Sequence, residues 1–201
     1  MGNRGMMGIG TLIIFIAVIL VAAVAAAVLI STSSSLQQRA LMTGSQAEDG
    51  VSTGAEMVSV MAQDGSLGHD VESFEVMMRL NPGSEAMNLN TTVLLFDTSD
   101  NSLSMSFNST IDSDDTFTAA DTKYYLVTYV KVGSDYEPGY LNRGDIIKVK
   151  FKCYDCTGGD TGGIGENKRV RIKMIPRVGL TSLVEITTPD VITEQRVSLW
   201  P

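Results

Sequence analysis

Two cysteines three positions apart, Cys153 and Cys156, are the residues whose spacing most directly suggests chemistry. A C-x-x-C pair can cycle between thiol and disulfide, supply half of a zinc site, or close a local disulfide. Zinc asks for four ligands, and the single histidine, His69, lies far away in the sequence. A thioredoxin-type redox motif asks for an α/β setting, which the surrounding pattern does not offer. The favoured reading is a local disulfide stiffening the loop "CYDCTGGDTGGIGEN" outside the cell. Two cysteines are too few for a disulfide framework.

Carboxylates gather in "FDTSDN" (Asp97, Asp100) and "IDSDDT" (Asp112, Asp114, Asp115). Neither stretch has the spacing or the terminal glutamate of a calcium loop, so both are expected on a solvated surface, and no metal and no cofactor is expected. Asn90-Thr91-Thr92 and Asn108-Ser109-Thr110 fit the acceptor pattern for N-glycosylation. There is no Ser/His/Asp order, no phosphate loop after a strand and no visible pair of buried carboxylates, so an enzyme is not expected.

The net charge of −8 is unevenly spread. Residues 1–44 hold Arg4, Arg39 and no acid, whereas the rest holds 13 basic and 23 acidic residues. A nucleic-acid partner calls for the opposite sign in the globular part. An acidic body rich in Ser, Thr and Gly behind an apolar segment suits a secreted or surface-exposed domain.

That apolar segment has to position everything else. Leu12 to Ile30 is a run of nineteen apolar residues, about 28 Å long as a helix and close to the hydrocarbon thickness of a bilayer. A removable secretory signal fits poorly, because its apolar core is shorter and closes at a cleavage site. Here the run passes into "STSSSLQQRALMTGSQAEDG", where Leu36, Ala40, Ala47, Val51, Ala55, Val58 and Ala62 keep helical spacings. One continuous helix is expected over 6–62, apolar on every face in its first half and on one face in its second. A helix apolar all round must be covered all round, by lipid or by other helices. Ala22/Ala26 and Ala23/Ala27 are small-xxx-small pairs that permit close helix approach, which a simple membrane anchor does not require. Ile9, Leu12 and Phe15 complete the candidate packing set.

Ahead of the helix, "MGNRG" places a basic residue beside a glycine directly before the apolar run. That is where the short leader of a type IV prepilin ends. Cleavage between Gly5 and Met6 by a prepilin peptidase would remove residues 1–5 and leave the helix attached to the mature chain.

"GIGTLIIFIAVILVAAVAAAVLI" followed by "LQQRA" resembles the N-terminus of the archaeal flagellins, the archaellins. The resemblance returns in "YLNRGDIIKVKF" and in "KMIPRVGLTSLVEITTPDVITEQRVSLWP" near the end of the chain. Bacterial type IV pilins carry a glutamate at the fifth mature position; here that position is Gly10, which fits the archaellin branch. The leader departs from the family in its brevity and in having one arginine where two basic residues are usual.

After "AQDGSLGHD" the period shortens to two. "SFEVMMRL" sets Phe74, Val76, Met78 and Leu80 on one face. "TTVLLF", "LSMSF", "KYYLVTYVKV", "DIIKVKFK", "KRVRIKMI", "GLTSLVEIT" and "VITEQRVSL" follow, making about eight strands between turn-forming clusters. An antiparallel β-sandwich over 63–201 is expected, and the resemblance implies an immunoglobulin-like one. The expected fold class is therefore α+β.

The resemblance implies a structural subunit of the archaeal flagellum, a homopolymer used for swimming and worked by separate motor and assembly proteins. Its precursor would sit in the cytoplasmic membrane before joining the extracellular filament. The alternative is an adhesive type IV-like pilin or a single-pass anchored binding domain.

Overall fold

The computed structural model describes residues 3–63, 70–108, 123–153, 156 and 163–200. The chain forms two compact units, Met1–Glu48 and Asp49–Pro201.

Helix α1 spans Asn3–Ser52, 50 residues and about 75 Å of axis. Neither proline nor glycine interrupts it between Thr11 and Thr43, and its alanines and leucines are strong helix formers. It stops at Thr53-Gly54. The Thr53 N–H closes the last turn onto the Asp49 carbonyl at 3.1 Å, and the chain then runs straight into a strand.

That strand corrects the expected helix boundary at 62. Residues Ala55–Gln63 form β1, not a last stretch of helix. Ala55, Met57, Val60 and Ala62 point inward, and the register against the neighbouring strand slips between Met57 and Ser59. The bulge inserts a residue into the strict alternation. It brings Ala55 and Ala62 to the same face, seven positions apart, and that spacing imitates two helical turns.

The remaining strands are β2 (Ser73–Leu80), β3 (Met87–Asn88), β4 (Val93–Thr98), β5 (Ser102–Phe107), β6 (Tyr124–Lys131), β7 (Tyr140–Leu141), β8 (Ile146–Lys152), β9 (Arg169–Ile175), β10 (Ser182–Thr187) and β11 (Arg196–Trp200). Nine of them follow the order β10-β9-β4-β5-β6-β8-β2-β1-β11, and β3 pairs with β7 apart from these. Among the described residues all pairings are antiparallel except β5 with β6, which meet in parallel over Ser106↔Tyr124 and Phe107↔Tyr125. This brief seam joins two halves that fold face to face as a sandwich.

Strict alternation carries the core. β2 buries Phe74, Val76, Met78 and Leu80; β8 buries Ile147, Val149 and Phe151; β9 buries Val170, Ile172 and Met174. Phe96 of β4 reaches across from the other half, 4.9 Å from Phe74 and 5.2 Å from Phe151 between ring centroids. Outward cations find acids. Glu75, 4% exposed, is ringed by Arg196 at 3.0 Å, Lys150 at 3.3 Å and Lys148 at 3.5 Å. Three cations therefore surround one buried carboxylate, so its burial is accompanied by close partners.

Candidate functional site

The helix surface is the largest chemical anomaly of the molecule. Its most apolar window has a mean hydropathy of 3.4 and nothing in it is buried. Phe15 is 64% exposed and Leu29 70%. Burying side chains of this kind is worth about 1.5–3 kcal/mol each, so a continuous uncovered run of them cannot rest in water. Ile9, Leu12 and Phe15 all lie on this exposed surface. So do Ala22, Ala23, Ala26 and Ala27. Gly5 and Met6 lie within the backbone span of α1.

Where the helix ends, a knot of backbone and serine-hydroxyl hydrogen bonds fastens its last turn to the strands. Ser84, 2% exposed, accepts from the Gly54 N–H at 3.1 Å. Its hydroxyl lies 2.9 Å from the Ser52 carbonyl and 3.1 Å from that of Gly54. The Thr53 carbonyl accepts from the Leu180 N–H at 2.7 Å, and the Gly54 carbonyl from the Asn81 N–H at 2.9 Å. Ser182 donates to the Ala55 carbonyl. Gly179 has φ +117°, and a Cβ there would meet the Thr53 carbonyl oxygen at 2.5 Å. Sequence reasoning missed this root. The signals were a serine after "NPG" and a glycine in "RVGL", neither of which names its partner.

The residues singled out for chemistry are dispersed over the sandwich. Cys153 and Cys156 form a disulfide with Cα atoms 5.8 Å apart, both nearly inaccessible. The Cys153 N–H donates to the Glu72 carbonyl at 2.8 Å, and the Thr98 hydroxyl donates to the Cys156 carbonyl at 3.3 Å. The bridge therefore sits where strands of both halves meet. Asp97 accepts from the Ser102 hydroxyl and pairs with Lys173 at 3.2 Å, while Asp100 pairs with Lys168 at 3.4 Å. The Ser102 hydrogen bond, then Lys173 and Arg171, hold the Asp97 carboxyl below its ordinary range against the opposing effect of burial. These two acids are thus occupied by neighbouring side chains. Asp112, Asp114, Asp115 and His69 lie outside the described residues.

Asn90 is exposed on a 3₁₀ turn, Leu89–Thr91, capped by Asn88. Asn108 is half-buried just past the end of β5, and its N–H donates to the Tyr125 carbonyl at 3.3 Å. The two sequons are thus linked through Tyr125. Its side chain is fully buried, its phenol donates to the Leu89 and Thr92 carbonyls, each at 3.1 Å, and burial pushes its pKa up.

A long helix whose apolar surface is left uncovered by its own unit, continuing into a β-sandwich with its own core, is a build that filament subunits share with membrane-anchored domains. Comparison with known proteins makes the class specific. The family model for archaeal-type flagellin matches residues 5–186. Flagellin B1 of Methanocaldococcus jannaschii is 32% identical over 98% of this chain and 96% of its own. Flagellin B5 of Pyrococcus abyssi is 30% identical over 98% and 99%. Among solved structures, the archaeal flagellum of Methanospirillum hungatei superposes with a TM-score of 0.69 at 14% identity, covering 96% of this chain and 99% of that one. A crystal structure of a Methanocaldococcus jannaschii flagellin gives 0.62 at 17%, covering 74% and 97%. The chain belongs to the archaeal-type flagellin family. It is a structural subunit of the extracellular flagellar filament that serves motility, and its polymer partners are copies of itself.

Proposed function

We propose that the subunit works by giving one helix two successive environments. As a precursor, α1 spans the cytoplasmic membrane with residues 1–5 on the inner side. A prepilin peptidase cuts between Gly5 and Met6, removing Arg4 with the leader. The shortened helix end can then leave the bilayer without dragging a charge through it. In the filament the same helix packs against copies of itself in a central bundle, where Ile9, Leu12 and Phe15 fill space and Ala22, Ala23, Ala26 and Ala27 let backbones approach closely. The contact is heterologous and open-ended, the symmetry that yields a helical polymer in place of a closed ring.

Motor and assembly proteins supply rotation; the subunit transmits it as a stiff screw. The β-sandwich forms the outer sheath, with glycans at Asn90 and Asn108 and with the Cys153–Cys156 bridge closed after export. The observation that carries the reading is the run from Leu12 to Ile30, exposed along its whole length, which requires an apolar cover that its own unit does not supply.

Two measurements test it. Mass spectrometry of sheared filaments should find the mature chain beginning at Met6; a filament subunit beginning at Met1 refutes the processing step. Ala23→Glu should abolish filaments, because the carboxylate is buried without a partner in lipid and bundle alike, at a cost of several kcal/mol. Normal filaments from that variant would exclude the bundle.

A further inference from the structure

We propose that Asn90 accepts its glycan only while its segment is unfolded, so that the sugar is attached before the sandwich closes around Thr92; this rests on the assignment of Asn90 as an acceptor. The transfer joins the Asn90 carboxamide nitrogen to the anomeric carbon of an oligosaccharide carried on a polyisoprenyl phosphate. The new N–C bond forms as the anomeric C–O bond breaks. The lipid phosphate departs with that electron pair, and one amide proton goes to a base. The acceptor pattern demands a hydroxyl two residues downstream, so the transferase must reach the side chain of Thr92 as well as that of Asn90.

In the folded chain the Thr92 hydroxyl is out of its reach, and the Asn90 amide is crowded on the side of Gly139. Thr92 is 1% exposed, and its hydroxyl donates inward to the Asn88 carbonyl at 2.7 Å. Its N–H donates to the Leu89 carbonyl at 3.2 Å, and its carbonyl receives the buried Tyr125 phenol at 3.1 Å. Leu89, on the other side of Asn90, is 0% exposed and donates its N–H to the Gly139 carbonyl at 2.9 Å. The Asn90 N–H is taken by the Asn88 side chain at 2.9 Å. The Asn90 amide nitrogen lies 2.8 Å from where a Cβ on Gly139 would stand, so the reacting atom is itself packed against the loop before β7. Extending this tripeptide in a transferase groove means breaking the turn, pulling Leu89 out of the core and releasing the phenol. Once attached, the sugar has an exit, because Asn90 is exposed and residue 139 has no side chain to obstruct the amide.

The experiment supplies membranes carrying the cognate oligosaccharyltransferase and its lipid-phosphate-linked oligosaccharide. The acceptors are a synthetic peptide covering residues 86–94 and the folded full-length chain in detergent micelles, made unglycosylated and carrying Asn108→Gln so that only Asn90 is read. The peptide should be modified and the folded chain should react about 100-fold more slowly, as expected when a buried segment must first open. Tyr125→Phe, which removes the phenol clamp, should recover about tenfold of that rate; sub-denaturing urea on the unaltered phenol provides the same opening if the variant fails to fold. Modification of the folded chain at the peptide's rate overturns the inference. An unmodified peptide removes Asn90 as an acceptor altogether, a distinct outcome that retracts the earlier assignment together with this one.

Discussion

Ser84→Ala removes one hydroxyl from the root of the helix, and its cost follows from what each neighbour keeps. The Gly54 carbonyl retains the Asn81 N–H at 2.9 Å. Ser52 is exposed, so water can replace the hydroxyl at its carbonyl. The Gly54 N–H has no such relief: Gly54 is buried and Ser84 is its acceptor at 3.1 Å. Leaving a buried amide unsatisfied costs about 1–3 kcal/mol. A central figure of about 2 kcal/mol corresponds to a fall in melting temperature of about 4–8 °C for a unit of this size.

The assay is thermal unfolding of the full chain in detergent micelles, followed by near-ultraviolet circular dichroism, with amide hydrogen exchange as the local readout. The Gly54 amide should exchange faster while that of Val149, deep in β8, keeps its protection. Ser104→Ala, on the exposed face of β5, is the control and should stay within about 0.5 kcal/mol of the parent. A Ser84→Ala protein equally close to the parent, with Gly54 exchange unchanged, would refute the claim that this hydroxyl fastens helix to strand.

Two further outcomes follow from the sandwich. The Asp97 carboxyl sits below its ordinary value of 3.8, first through Ser102 and then through Lys173 and Arg171. Its contribution is therefore present above the unfolded value and lost as the pH falls through the lower folded one. Denaturation midpoints measured across the acid range should fall less steeply below about pH 4 for Asp97→Asn than for the parent. Reducing the Cys153–Cys156 bridge opens a four-residue ring, which chain entropy values at about 2 kcal/mol. The urea midpoint of the chain carrying Cys153→Ser and Cys156→Ser together should drop accordingly, with the far-ultraviolet spectrum unchanged.

Most of the strands were legible because one face of each is buried and the other is not. "SFEVMMRL" became β2 with Phe74, Val76, Met78 and Leu80 inward as anticipated, and "DIIKVKFK" and "KRVRIKMI" became the strands β8 and β9, since a period of two is all that a half-buried strand needs to announce itself. The two-residue strands β3 and β7 are too short to show a period. β1 was hidden for a different reason. Its bulge between Met57 and Ser59 converted a strand's spacing into a helix's, and the bulge exists only because β2 lies beside it. The Leu12–Ile30 run likewise announced itself, because no globular context tolerates such a stretch uncovered.

The amino-acid order by itself determined the two kinds of element, the greasy helix and the alternating strands, because both are written in local periodicity. It also left Cys156 as the one intrachain partner open to Cys153, there being no third cysteine, while the closed bridge itself was read from the structure. Only the tertiary structure decided where the helix stops, since Thr53 and Gly54 are held by Leu180, Asn81 and Ser84, residues remote along the chain. It alone decided that Thr92 faces inward while Asn90, two positions earlier, faces out. Burial is a relation between distant segments, and a local pattern carries it only where one face of a regular element repeats.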